Sequence, residues 1–229
     1  GRNPFVDEEF EGDRAIYGNH RQLDNYRIDR WERIKDMYDN RGRKIENPQM
    51  IAQGLGAGDI GQGLVGDWWF LSALSVVAFN RPDLLTNLIH HKCRVYREDG
   101  LYVVRFFKMG YHKIVYVDDS FPVNRRGESV FCKVDTEDDV TEFWPILLEK
   151  AYAKLHGSYD SLSSGRPEQG LVDLTNGISE IINFESDEFY QMKNNGSFWE
   201  KLLRWVNNNY LLAASSNGSS DSVRSDLGI

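Results

Sequence analysis

The stretch Gln62-Gly63-Leu64-Val65-Gly66-Asp67-Trp68-Trp69-Phe70-Leu71 decides how this chain is read. Asp67 precedes an apolar run from Trp68 to Phe79 that Asn80-Arg81-Pro82 closes, which predicts a helix over 68–79 capped by the Asp67 side chain. The run is apolar on nearly every face and is expected to lie in the middle of the domain. A reactive residue at the first helical position would gain from the positive potential there, which favours a thiolate. A glutamine a few residues earlier can set its amide N–H beside the backbone N–H of that position, and two such donors make an oxyanion hole. Gln62, the tight-turn glycines and Gly66-Asp67 supply every part of that device except the nucleophile. Trp68 offers an indole N–H and no electron pair for attack on a carbonyl. Its ring, far larger than a thiol, is expected to occupy the cleft floor.

Upstream the chain is glycine-dense, with Gly54, Gly56, Gly58, Gly61 and Gly63. Residues 56–61 satisfy G-x-G-x-x-G, but Asn47 to Ile51 is too short and polar for the buried strand that a dinucleotide fingerprint needs, and the helix starts too late. Downstream, Pro82 begins a second helix running to His90. Cys93–Glu98 and Leu101–Met109 read as a hairpin closed by Asp99-Gly100, with Lys113–Asp118 as a third strand and Val130–Val134 as a short fourth. Phe143, Trp144, Leu147, Leu148, Ala151, Tyr152 and Leu155 repeat at helical spacing over 141–155, with Thr141 as cap and Pro145 in the first turn. Ser197 and Glu200 form a capping box opening a helix to Asn208, with Phe198, Leu202 and Trp205 on one side, and Tyr210–Ala214 could be a strand.

Three regions follow: an N-terminal arm over 1–45, a core over 46–210 and a polar tail over 211–229. The arm carries scattered aromatics and a short helix over 27–38, and a partly ordered leader is the competing reading. Lys+Arg 27 against Asp+Glu 35 gives a net charge of −8, which disfavours nucleic acid and anionic membranes as partners. The longest apolar run has 12 residues, short of the roughly 20 that a membrane crossing needs. With two widely spaced thiols, Cys93 and Cys132, and no signal-like start, a cytoplasmic, reduced protein is expected. Neither cysteine follows a capping loop, so neither substitutes for residue 68. His90-His91 are exposed helix-end residues, Trp68-Trp69 and Phe143-Trp144 are core pairs, and 135–139 is a solvated acidic loop.

Residues 62–71 resemble the nucleophile motif Q-G-x-x-G-D-C-W-F-L of the calpain family, with Trp68 in the cysteine's place. Asp118-Asp119 with Phe121-Pro122 is similar to its D-D-x-x-P segment, and Glu142-Phe143-Trp144 with Leu147–Leu155 to its E-F-W…L-L-E-K-A-Y-A-K helix. Gly157-Ser158-Tyr159, Leu162-Ser163, Gly165, Gly170, Asp173-Leu174-Thr175 and Gly177 follow in the family's order, so that the resemblance covers roughly residues 47–214. It implies an α+β fold: the helix-rich, nucleophile-bearing half of a papain-like protease core, with a central buried helix and a small antiparallel sheet. The family's catalytic His and Asn would belong to a second half beginning near the end of this sequence, and His20, His90, His91, His112 and His156 match no such motif.

Carried over by position, the resemblance implies a calcium site formed by the carbonyls of Ala52 and Gly54 with Asp59 and Glu142. Calcium takes hard oxygen ligands, and the alternative is that Asp59 caps a turn and Glu142 stabilises a helix end. Ala57 stands where the family commonly has an arginine linking the two halves. With Trp68 as a degenerate nucleophile position beside an oxyanion-type Gln62, the expected function is that of a pseudoprotease, a non-enzymatic binding or scaffold module. The family context points to cytoskeletal, axonemal or flagellar protein partners, without nucleic acid or membrane insertion. Two alternatives stand: a calcium-dependent cysteine endopeptidase, if Trp68 is not native and a second half follows, or a calcium-responsive non-catalytic binding module.

Overall fold

A computed structural model of the chain describes residues 3–19, 26–61, 63–64 and 66–215. In chain order it contains α1 (Gly12–Tyr17), β1 (Arg30–Arg33), β2 (Pro48–Gln49), α2 (Trp68–Asn80), α3 (Pro82–Leu88), β3 (Leu101–Lys108), β4 (Tyr111–Asp118), β5 (Ser120–Val123), β6 (Thr136–Glu137), β7 (Val140–Glu142), α4 (Trp144–His156), α5 (Pro167–Thr175), α6 (Asp187–Asn194) and α7 (Ser197–Asn207). The class is α+β, and the central helix α2 forms where the apolar run predicts it.

The expected single sheet is three small ones among the described residues. β1 pairs antiparallel with β5, β3 with β4, and β7 lies between β2 (parallel) and β6 (antiparallel). The hairpin is not closed at Asp99-Gly100. Residues 91–93 form a 3-10 turn, and the reversal falls at Met109 and Gly110, with φ of 52° and 77°. Two successive positive φ values make the tight turn that matches strand twist, and Lys108 pairs with Tyr111 across it. Tyr102, Val104 and Phe106 of β3 point into the core, with Val115 and Val117 of β4 beside them. The acidic loop is itself a hairpin: Asp138 and Asp139 take φ of 46° and 62°, and Glu137 pairs with Val140.

Other local expectations give way to tertiary pairing. Residues 27–38 hold strand β1 and a 3-10 turn at Ile34–Asp36 rather than a helix, because Arg30–Arg33 finds a partner strand in Ser120–Val123. Val130–Val134 makes only isolated bridges, and no strand forms at Tyr210–Ala214. Thr141 does not cap α4; it lies in β7, its hydroxyl 2.7 Å from that of Thr136, and Phe143 precedes the helix. Ser197 is the first residue of α7, and Gly196 at φ 79° takes the cap position. Phe198, Leu202 and Trp205 do face the half-buried side.

α4 is the more deeply buried of the two long helices. Every residue from Trp144 to Ala153 of α4 is buried, Glu149 and Lys150 included, whereas α2 exposes Trp68 at one end and Phe79 at the other. Phe70 of α2 stacks on Tyr152 of α4 with centroids 4.0 Å apart. α5 lies so close against α2 that a Cβ at Gly170 would sit 2.8 Å from the Ala73 methyl. Residues 3–19 and 26–45 contribute to the same core: Phe10, Ala15, Ile16, Ile34, Met37 and Ile45 are buried within it.

Candidate active-site loop

The loop before α2 is anchored at several points. Glu142 Oε1 accepts from the backbone N–H of Ala52 and of Gln53, the latter at 3.0 Å. Asp59 Oδ2 accepts from Gly56 N at 2.9 Å and from Trp144 Nε1 at 3.1 Å. Both ends of this stretch are thus tied to the β7–α4 junction. Lys133 then donates its backbone N–H to the Gly61 carbonyl at 2.7 Å, and Leu64 to the Val130 carbonyl at 3.1 Å. At Gly63 a Cβ would fall 1.8 Å from the Phe131 carbonyl oxygen, so only glycine lets the loop cross there. Residues 56–61 hold a 3-10 turn at Ala57–Asp59, and α2 starts only at Trp68, so the strand–glycine–helix context of a dinucleotide site is absent.

Trp68, the first residue of α2, is 46% exposed and is not part of the core pair expected from Trp68-Trp69. It is Trp69 that plugs inward. Its Nε1 donates to the Leu162 carbonyl at 2.9 Å, and its ring lies where a Cβ at Gly165 would be 2.1 Å away. The expectation for Gln62 as an oxyanion-type donor falls outside the described residues. Asp67 occupies the cap position, yet among the described residues no helix N–H donates to its carboxylate; Phe70 N and Leu71 N bond to its main-chain carbonyl instead. The side chain is fully buried, and burial pushes its pKa up to about 6. Cys93 and Cys132 are both buried free thiols, and burial pushes the Cys132 thiol up. A low thiolate fraction makes a poor nucleophile.

The predicted calcium ligands lie on this loop and at its anchor. Among the described residues no three His, Cys, Asp or Glu side chains converge as a metal cluster. Such a site therefore rests on two carboxylates and two carbonyls. That donor set fits a hard cation. Asp59 Oδ1 and Glu142 Oε2 take no donor from the described residues, and the carbonyls of Ala52 and Gly54 accept no hydrogen bond from them. Glu142 does not serve as an α4 cap; it pins residues 52–53.

Several motif residues turn out to be internal ties that sequence reasoning did not assign. Asp118 accepts from Lys150 Nζ at 2.5 Å, Asp7 N at 2.8 Å and Ser120 N at 2.9 Å. Its pKa lies below the usual range, because Lys150 and the two N–H donors outweigh the upward pull of burial. Burial outweighs the carboxylates at Lys150 and lowers its pKa, so the attraction within the pair does not fully offset the cost of taking the ammonium out of water. Arg33 reaches Asp119 and the Phe5 carbonyl, and Lys154 holds Asp7 at 2.7 Å. Asp173 accepts from Tyr152 Oη at 2.8 Å and Lys108 Nζ at 2.6 Å. The only available signal was a charged residue on an otherwise apolar helical stripe, as at Lys150.

A glycine-tight loop delivering one residue to the start of a central helix, packed on α4 and flanked by small sheets, defines the nucleophile-bearing half of a papain-like cysteine-protease core. A model of the family described as calpain family cysteine protease matches residues 5–227. The chain is 34% identical over its whole length to calpain-type cysteine protease ADL1 of Oryza sativa subsp. japonica, of which it covers 10%. It is 35% identical over 80% of its length to calpain-13 of Rattus norvegicus and 31% identical over 86% to calpain-14 of Homo sapiens, covering 26% of each. The chain belongs to the calpain family, and it spans from a tenth to about a quarter of these relatives' length.

Proposed function

We propose that this chain is a catalytically inactive calpain-type module that binds protein partners, cytoskeletal or axonemal proteins first among them. The supporting observation is the half-exposed indole of Trp68 at the first turn of α2, where the family motif places its thiol. An aromatic ring there fills part of a cleft and supplies contact surface for a partner. Trp199, Leu203 and Val206 on α7 add exposed apolar surface of the kind that protein partners cover. Calcium, if bound by Ala52, Gly54, Asp59 and Glu142, would stiffen the loop leading to residue 68 and make the binding calcium-responsive. Among the described residues no helix is long and apolar enough to cross a membrane.

The relatives' names carry a second reading, a cysteine protease, which the family resemblance would make a calcium-dependent endopeptidase. It requires a cysteine at position 68 and a further half that supplies histidine and asparagine.

The test incubates the native chain with a casein substrate and with an epoxide thiol-protease inhibitor, with and without millimolar calcium. The expected result is no cleavage and no adduct, alongside calcium binding by calorimetry that Glu142→Gln and Asp59→Asn weaken by tenfold or more. Calcium-stimulated cleavage, or an inhibitor adduct mapped to the α2 loop, overturns the inactive reading. Absence of calcium heat removes the metal from it. Co-sedimentation with microtubules or actin filaments tests the partner class, and a chain that stays in the supernatant with both counts against it.

A further inference from the structure

Beneath the first turn of α2 two carboxyl groups meet in a place that water does not reach. Asp67 is 0% exposed and Glu149, on α4, is 1% exposed. Neither Asp67 oxygen has a donor from any backbone or side-chain N–H or hydroxyl among the described residues. Phe70, three residues along α2, stacks on Tyr152, three residues beyond Glu149 on α4, and that pairing of the helices sets the Glu149 carboxyl against Asp67. Glu149 in turn accepts the Cys132 backbone N–H, at 2.9 and 3.0 Å from its two oxygens. Among the described residues no arginine or lysine pairs with either acid.

Two carboxylates cannot hydrogen-bond one another; a carboxylic acid and a carboxylate can, through one proton. The charge left over is best placed on Asp67, because that group sits at the N-terminal end of a 13-residue helix whose partial positive charge stabilises an anion. Glu149 then donates from one oxygen while the other takes the Cys132 N–H. We propose that Asp67 and Glu149 share a single proton, carried by Glu149, and that this acid–carboxylate bond latches the entrance of α2 to α4 and opens when the proton is lost.

The surroundings support retention of that proton at neutral pH. Burial, first, and then the neighbouring Asp67 charge push Glu149 well above the ordinary carboxylate range. The other titratable groups facing the pair are the Cys132 thiol, the Tyr159 and Tyr26 hydroxyls and Lys133. The first three are neutral over the relevant range, and burial pushes each of them higher still. Lys133 is the one cation in range among the described residues, and its Nζ is bonded to the Ser129 carbonyl instead.

The sign follows. A carboxyl whose folded pKa is raised costs nothing below the unfolded value of about 4. As pH rises past that value the unfolded chain releases its proton and the folded chain does not, so stability falls until the folded pKa is reached. One retained proton corresponds to at most about a tenfold loss of folding constant per pH unit.

The experiment measures urea unfolding from pH 5 to 8 for the native chain, Asp67→Asn and Glu149→Gln. It is joined to a carbon-NMR titration of the assigned side-chain carboxyls in the native chain. Each amide supplies a permanent donor, so the ratio of variant to native folding constants is expected to rise with pH by up to about tenfold per unit. Glu149 is expected to show the protonated carboxyl shift at neutral pH, and Asp67 the ionised one. A ratio that stays flat across the range overturns the latch. So does any other protonation state of the two acids at neutral pH in the NMR titration, which decides the matter even if an amide variant does not fold.

Discussion

Replacing Lys150 by methionine isolates what the buried charges of the D-D-x-x-P segment contribute. The lysine and Asp118 side chains are 1% and 4% exposed, and the ammonium bonds Asp118 and the Ser120 carbonyl. Methionine fills much of the volume but leaves Asp118 ionised in the interior with only the N–H groups of Asp7 and Ser120. Removing one partner of a buried pair costs about 3–5 kcal/mol. With a urea m-value of about 3 kcal/mol per M for a chain of this size, the unfolding midpoint of Lys150→Met falls by about 1–1.7 M. Because Asp7 N hangs on the same carboxylate, residues 5–10 should lose amide-exchange protection at the same time. The double variant Lys150→Met, Asp118→Asn removes both charges, and its cost should be smaller than the sum of the two singles by at least about 1.5 kcal/mol. A loss below about 1 kcal/mol for Lys150→Met, or additive behaviour in the cycle, would refute the argument that the pair acts as a unit.

Gly165→Ala should destabilise the chain by about 1–3 kcal/mol, read by urea unfolding, since its Cβ would meet the Trp69 ring at 2.1 Å and that ring is fixed by its bond to Leu162. Near-UV circular dichroism should change with it, because the indole must leave its slot. Met109→Asn should go the other way, raising thermal stability by about 0.5–1 kcal/mol, since asparagine takes the positive φ at this exposed turn position at lower cost than methionine.

Much of the fold was legible because it is written in local pattern. The apolar run 68–79 and its Asn80-Arg81-Pro82 stop placed α2 within a residue, and the stripe over 141–155 placed α4 to within three. Turn chemistry misled where a stronger sequence signal stood near the true one. Asp99-Gly100 is the better turn dipeptide, but the partner of β3 lies beyond Met109-Gly110, and pairing along all eight residues of β3 and β4 decided the reversal. Residues 27–38 carry no strand alternation of their own and become a strand because Ser120–Val123 lies alongside.

For the candidate site, the sequence by itself determined which residue stands at the start of α2 and that glycines surround it. It also determined the family through motifs that survive in order. Only tertiary structure decided that Trp69 and not Trp68 enters the core, that Asp67 caps nothing, and that α4 is buried on all sides with Glu149 and Lys150 inside. The reason is physical. Periodicity reports how a segment meets its own neighbours, whereas a buried charge is tolerable only if a distant segment brings its counterpart. Asp118 reaches Lys150 from 32 residues away, and Asp7 reaches Lys154 from 147.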